Sequence, residues 1–189
     1  MGGCLPSRDC ATLRALNIDI LGGPASSADL SRLCLLLADC VRDGASIGFV
    51  EPLAPGEVEA YWARVLREAA AGGRLVLVAR EAPGGPISGS AQLALESRAN
   101  GRHRAEVQKV MVFPALRRRG IAAALMSALE AEARARGLSL LFLDTSEGRG
   151  GAREFYAALG YAYVGGIPGY AMDPDGRLQG NAIYYKALN

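Results

Sequence analysis

The sequence predicts a mixed α/β fold, a mixed sheet with helices on its faces, and three observations carry that expectation. Two amphipathic helical stretches precede three strand-like segments. A β-branched stretch at residues 107–113 then passes through a basic, glycine-containing turn into a long helix, and leaves it as another apolar strand. That pattern is a parallel crossover. A short helix and two more strand-like segments close the chain, so the order is ααβββαβαββ, with an optional extra strand at the start.

Residues 1–10 read as a loose extension, and residues 11–189 as one domain. Residues 11–20 can hold the optional strand, broken by Gly22-Gly23-Pro24. Ser27 is placed to cap a helix whose apolar positions Leu30, Leu33, Leu36, Leu37 and Val41 recur near the helical period. Gly44 ends it. A second helix starts near Glu57, with Val58, Trp62, Val65, Leu66 and Ala69 on one face, and stops at Gly72-Gly73. Residues 75–79 and 87–95 read as strands separated by Gly84-Gly85-Pro86, and Asn100-Gly101 predicts a tight hairpin into the 106–113 strand.

The helix after Gly120 should bury Ile121, Leu125 and Leu129, with Glu130–Arg134 and Glu132–Arg136 pairs on its outer face and Gly137 as its stop. Residues 138–143 (LSLLFL) are too apolar for a half-exposed strand, which predicts a central position parallel to the strand before the helix. The strand ends at Asp144-Thr145. Gly148, Gly150 and Gly151 turn into a short helix at 152–159, and closing strands follow at 161–164 and 182–188 across a long loop, 165–181.

Composition bounds the function. The 189 residues are 50% hydrophobic and 21% charged, as in a globular chain with a core. The 21 basic and 19 acidic residues leave a net charge of +2, too balanced for a nucleic-acid surface. Cys4, Cys10, Cys34 and Cys40 lack metal-ligand spacing and read as reduced thiols, which fits a reducing compartment. No apolar run approaches a membrane span, and the N-terminus lacks the apolar core of a signal peptide. A cytoplasmic protein, monomeric or homodimeric, with no metal, nucleic-acid or membrane partner, is the expectation.

The most informative stretch is EVQKVMVFPALRRRGIAAALMSALEAEARARG, residues 106–137. A strand delivers the chain to a tight turn that opens a helix. Such a junction aims backbone N–H groups and the positive end of the helix dipole at one spot. Arg117, Arg118 and Arg119 add full charge there. The physical reading is a site for a pyrophosphate or similar anion; the plain alternative is a solvated helix start.

These residues carry a resemblance. Arg117-Arg118-Arg119-Gly120-Ile121-Ala122, preceded by Val110-Met111-Val112-Phe113-Pro114, resembles the Q/R-x-x-G-x-G/A motif of the GNAT N-acetyltransferase superfamily. Phe155 to Tyr161 (FYAALGY) is similar to its C-terminal helix-and-strand motif. The segments GASIGFV, NGRHRAEVQKVMV, LDTSEG, EFYAALGY, GGIPGY and DPDGRLQGNAIYYKAL further resemble the tabtoxin-resistance group, acetyltransferases that inactivate a β-lactam toxin. The resemblance implies a mostly antiparallel, twisted sheet with one central parallel strand pair, acetyl-CoA as cosubstrate, and a small amine as acceptor.

It also implies roles. The backbone of Val110, Met111 and Val112 would bond the acetyl carbonyl and pantetheine, and Arg117 to Ala122, flanked by Leu116 and Ala123, would cradle the pyrophosphate. An amine must lose a proton before it attacks, so a base is needed. The resemblance assigns catalytic importance to Glu106 and Asp144, and a carboxylate closing an apolar strand can have a raised pKa. The plain alternatives are that Asp144 caps the next turn and that Glu106 pairs with Arg104 or Lys109. Tyr156 matches the tyrosine that protonates the departing thiolate; its alternative is a core aromatic beside Phe155. Arg149 stands where many superfamily members carry a CoA-binding asparagine. The acceptor side is expected from residues 45–50, the strand holding Gln92 and residues 165–170, with Phe49, Tyr163 and Tyr170 as walls. The cysteines lie far upstream of the motif, which argues for direct transfer rather than an acyl-cysteine. Two rivals stay open: a protein or peptide acetyltransferase, and a non-catalytic acyl-CoA sensor that needs neither Glu106 nor Tyr156.

Overall fold

The structure, a computed structural model, describes residues 16–23, 25–146, 151–173 and 176–188. Cys4, Cys10, Gly148, Arg149, Gly150 and the 1–10 extension lie outside the described residues. The optional first strand is real: β1 (Asn17–Ile20) pairs antiparallel with β2 (Arg74–Arg80). Between them come α1 (Ser27–Arg42) and α2 (Glu57–Ala70). Ser26, not Ser27, caps α1: its side chain accepts from the Asp29 N–H, and Ser27 is already helical.

β3 (Ile87–Leu95) and β4 (Arg104–Val112) continue the meander. Their connection is not a tight hairpin at Asn100-Gly101. A single 3₁₀ turn (Ala99–Gly101) sits in a longer loop, tied back by Arg104 to Glu96 at 3.1 Å. α3 (Ile121–Ala135) crosses over to β5 (Leu140–Ser146), which runs parallel to β4. α4 (Ala152–Ala158), β6 (Ala162–Gly165), a small hairpin of β7 (Ala171–Met172) and β8 (Leu178–Gln179), and β9 (Asn181–Ala187) complete the chain.

The seven-stranded sheet has the order β1-β2-β3-β4-β5-β9-β6, and β4–β5 is its one parallel pair. Helices cover both faces. On one side α3 buries Ile121, Leu125, Met126 and Leu129 against alternate residues of β2 to β5. On the other, α1 and α2 bury Leu33, Leu36, Leu37, Trp62 and Val65 against Val76, Val78 and Met111. The mixed, mostly antiparallel fold with one parallel pair is the one the sequence predicts. No helix among the described residues is long and apolar enough to cross a membrane.

Two expectations need correction. Glu130 is not on the outer face of α3; it is 7% exposed and accepts from Lys186 Nζ of β9 at 2.7 and 2.8 Å. The nearby cation of another strand, invisible to helical spacing, turns it inward. And β5, although central and apolar, is half-exposed in alternation and extends to Ser146. Its apolar residues Leu141 and Leu143 are buried, while Leu140 and Phe142 are only partly covered, because α1 and α2 pack on β2 to β4. An open face is left beside β5.

Candidate active site

The site begins with one extra residue. β3 and β4 pair Ser90 with Met111, but the next partners are Gln92 and Gln108, so Ala91 faces two residues of β4, Lys109 and Val110. That is a β-bulge, which twists and bends the strand carrying it. Lys109 has φ 49, a left-handed conformation that a lysine rarely takes. Beyond the bulge the strands part. β4 pairs with β5 only from Arg104–Leu140 to Glu106–Phe142, whereas β5 stays paired with β9 through Ser146.

The parting leaves a free strand edge. Phe113 N–H donates to Ser88 C=O at 3.1 Å, and Met111 C=O lies 2.7 Å from where a Cβ on Gly89 would stand. Residues 111 and 113 therefore turn their backbone groups toward β3, and only glycine fits at 89. By alternation, Val112 turns its backbone groups away from β3. The Val112 carbonyl accepts from Cys40 Sγ at 3.5 Å.

The turn after β4 is equally specific. Arg118 (φ 64) and Gly120 (φ 79) are both left-handed, and such residues curl backbone N–H groups into a concavity that suits an anion. A Cβ on Gly120 would meet nothing within 4 Å, so glycine is required there for its φ, not for space. No side chain caps α3, and the N–H groups of Ile121, Ala122 and Ala123 open its positive end. Arg117 pairs with Asp43 at the end of α1, and Arg119 lies 3.6 Å from Glu81; all four side chains are substantially exposed.

The carboxylates share one face at the splay. Glu106 is level with Phe142 in the β4–β5 register, and Asp144 lies two residues on, so both project from the face covered elsewhere by α1 and α2. Among the described residues Glu106 makes no ion pair with Arg104 or Lys109, and the turn that Asp144 would cap lies outside the described residues. Asp144 is exposed, so the burial expected around it is missing. It accepts instead from Asn181 Nδ2 at 3.4 Å, and Asn181 Oδ1 accepts from Ile167 N–H at 2.8 Å, which ties the 165–170 loop to the site.

Tyr156 comes from α4 on the α3 side of the sheet. It is 8% exposed, with ring centroids of Phe155, Tyr184 and Tyr161 at 5.1, 5.7 and 5.8 Å. Burial, with help from the Asp144 and Tyr184 charges, pushes its pKa up to about 12.

A family model described as "Acetyltransferase (GNAT) family" matches residues 36–161, a span that runs from α1 through the bulge and the turn to the start of β6. The chain belongs to this family. An uncharacterized N-acetyltransferase from the hisH–hisA intergenic region of Azospirillum brasilense is 38% identical over 123 residues, covering 64% of this chain and 70% of that one. Among solved structures, the ribosomal-protein-alanine N-acetyltransferase of Brucella melitensis superposes with TM-score 0.73 at 25% identity, covering 89% of this chain and 99% of that one. A phosphinothricin acetyltransferase of Sinorhizobium meliloti, solved with acetyl-CoA, gives TM-score 0.74 at 20% identity, covering 92% and 89%.

As a GNAT N-acetyltransferase, the protein uses acetyl-CoA. Its own residues fit that molecule: uncapped N–H groups and arginines for the pyrophosphate, and an unpaired strand edge for an amide-bearing arm. Several site residues escaped the sequence reading. Arg74 is buried and donates to Glu68, Gln92 and Gln108 at 2.8, 2.9 and 2.6 Å, and Gln92 donates to Tyr61 at 2.9 Å, a polar layer beneath the expected acceptor side. Phe49 packs edge-on to Tyr61 at 5.3 Å, while Tyr163 and Tyr170 are about half exposed at 47% and 54%. Cys40, upstream by 72 residues, nevertheless touches Val112, so sequence distance is no argument against a thiol at the site. Burial, however, raises its pKa and keeps it a thiol, a poor nucleophile.

Proposed function

We propose that this acetyltransferase moves the acetyl group of acetyl-CoA directly to the amine of a small, amino-acid-like molecule, with a toxin or antibiotic of the tabtoxin type as the leading candidate. The observation that carries the reading is the pair Glu106 and Asp144, which share one face where β4 and β5 part and make no ion pair among the described residues.

Acetyl-CoA supplies an acetyl group activated as a thioester. In our reading Val110, Met111 and Val112 receive its acetyl and pantetheine part along the free strand edge. Arg117, Arg118, Arg119, Gly120, Ile121, Ala122 and Ala123 receive the pyrophosphate. The acceptor arrives protonated. Glu106 and Asp144 hold the ammonium and take its proton, directly or through water, as the C–N bond forms and the C–S bond breaks. Tyr156 supplies a proton to the sulfur. A phenol whose pKa lies near 12 stays protonated throughout the physiological range, as that role demands.

The test has two parts. The purified protein is offered tabtoxinine-like amino acids, aminoglycosides, polyamines and short peptides, and thiol release is followed. Rapid release with an amino-acid-like member is expected; release with peptides alone would move the function to protein acetylation. Then Glu106→Gln and Asp144→Asn should each lower turnover by roughly 10²–10⁴-fold with acetyl-CoA affinity retained. Wild-type rates in both would remove these carboxylates from the mechanism, and tight acetyl-CoA binding with no acceptor would favour a sensor.

A further inference from the structure

The half-buried ammonium of Lys109 has no part in the mechanism above. Lys109 forms no hydrogen bond and no ion pair among the described residues. Its backbone is held left-handed at φ 49, inside the bulge that opens the strands. Its Nζ lies 3.6 Å from the position of a Cβ on Gly48, so the side chain reaches under the loop between α1 and α2, on the expected acceptor side. Burial disfavours its charged form most; the Asp144 and Glu106 charges favour that form, and the Arg74 and Arg64 charges oppose it. Arg74 is committed to Glu68, Gln92 and Gln108, and Arg64 to Glu68. An ammonium left half-buried without a partner is costly, and a strained residue at a site is a sign of function.

We propose that Lys109 is a specificity residue that binds an anionic handle, a carboxylate, on the acceptor. The opening then presents two carboxylates and one unpaired ammonium. A zwitterion complements that set: its ammonium goes to Glu106 and Asp144, and its carboxylate to Lys109. A simple polyamine brings a second positive charge to Lys109 and is disfavoured. The inference rests on the proposed transfer to a small amine and narrows the acceptor to amino acids and close relatives.

Matched acceptor pairs that differ only in the carboxylate test it: L-ornithine against putrescine, and L-lysine against cadaverine. In the wild type, kcat/KM should favour each amino acid. Lys109→Met keeps the length and the backbone strain but removes the charge. It should collapse that preference by roughly ten- to hundredfold, the range for losing a charge-assisted hydrogen bond, and the loss should appear in KM for the amino acid. Lys109→Arg should restore part of it. An unchanged ratio in Lys109→Met, or a fall in kcat shared equally by both members of a pair, overturns the proposal.

If the wild type acetylates no small amine, the proposed function fails, and Lys109 is judged by a different readout. With acetyl-CoA present, labelling of Lys109 by an amine-reactive ester is followed by mass spectrometry. Protection by millimolar L-ornithine but not putrescine supports a carboxylate site; equal labelling under all conditions overturns it.

Discussion

Tyr156→Phe deletes one oxygen and separates the chemical role of this residue from its structural one. The ring contacts with Phe155, Tyr161 and Tyr184 survive, and the hydroxyl makes no hydrogen bond among the described residues. Near neutral pH, stability should therefore change by less than about 1 kcal/mol. Tyr156→Ala, which also empties the ring's place in the core, should cost about 3–5 kcal/mol. The alkaline range gives a sharper signature. An unfolded tyrosine ionises at 10, and the folded one near 12. Between those values the unfolded chain binds fewer protons than the folded one, so the contribution is fully present below pH 10 and is lost as pH rises through the folded value. The full loss is roughly 3 kcal/mol, from about 1.4 kcal/mol per pH unit. Urea denaturation at several pH values should show the phenylalanine variant gaining on the wild type by up to that amount. The turnover assay is thiol release. It should fall by roughly 10²–10⁴-fold, with acetyl-CoA affinity unchanged. Wild-type turnover in Tyr156→Phe would refute the acid role. Loss of more than about 2 kcal/mol at neutral pH would show that the hydroxyl is structural instead.

Two further outcomes follow from the same geometry. Gly120→Ala puts a Cβ into open space at φ 79, so the cost is backbone strain of about 1–2 kcal/mol. Acetyl-CoA affinity should drop by roughly tenfold if the turn's N–H groups hold the pyrophosphate; unchanged affinity by calorimetry would place that group elsewhere. Asp29, hydrogen-bonded at 2.9 Å to Arg80, has its carboxyl held below its usual 3.8 chiefly by that hydrogen bond. The pair's contribution is present above the unfolded value and is lost as pH falls through the folded one. Asp29→Asn should therefore flatten the acid limb of stability below about pH 4, and an identical limb in both proteins would refute the assignment.

Much of the molecule was legible locally. The two early helices, the meander, the long helix after Gly120 and the crossover into β5 follow from periodicities of 3.6 and 2 and from glycine stops. The turn proposed to hold the anion was legible as a junction too, since a strand end, a basic turn and a helix start are consecutive in the chain. Its two left-handed residues, Arg118 and Gly120, lie inside the stretch that the sequence singles out. The helix cap lies one residue earlier than expected, and the 99–101 turn is part of a longer hairpin loop rather than a tight turn, because an Asn-Gly pair is also at home in a short 3₁₀ turn.

What only the tertiary structure decided depends on neighbours in other strands. Val107 and Met111 have the same parity, yet Val107 packs with α3 and Met111 with α1 and α2. The bulge at Lys109 reverses the faces between them, and a lysine in register with Val107 and Met111 was its only sign. Local alternation cannot register a residue inserted against a partner strand. The parting of β4 from β5, the shared face of Glu106 and Asp144, the Asn181 link to the 165–170 loop, the contact of Cys40 with Val112 and the inward turn of Glu130 to Lys186 all join segments far apart in sequence. The sequence by itself determined the order of elements and the strand–turn–helix junction, because both arise from bonds within a few residues. The tertiary structure decided which side chains face the opening, because that is set by pairing register between strands, and register is a property of two segments at once.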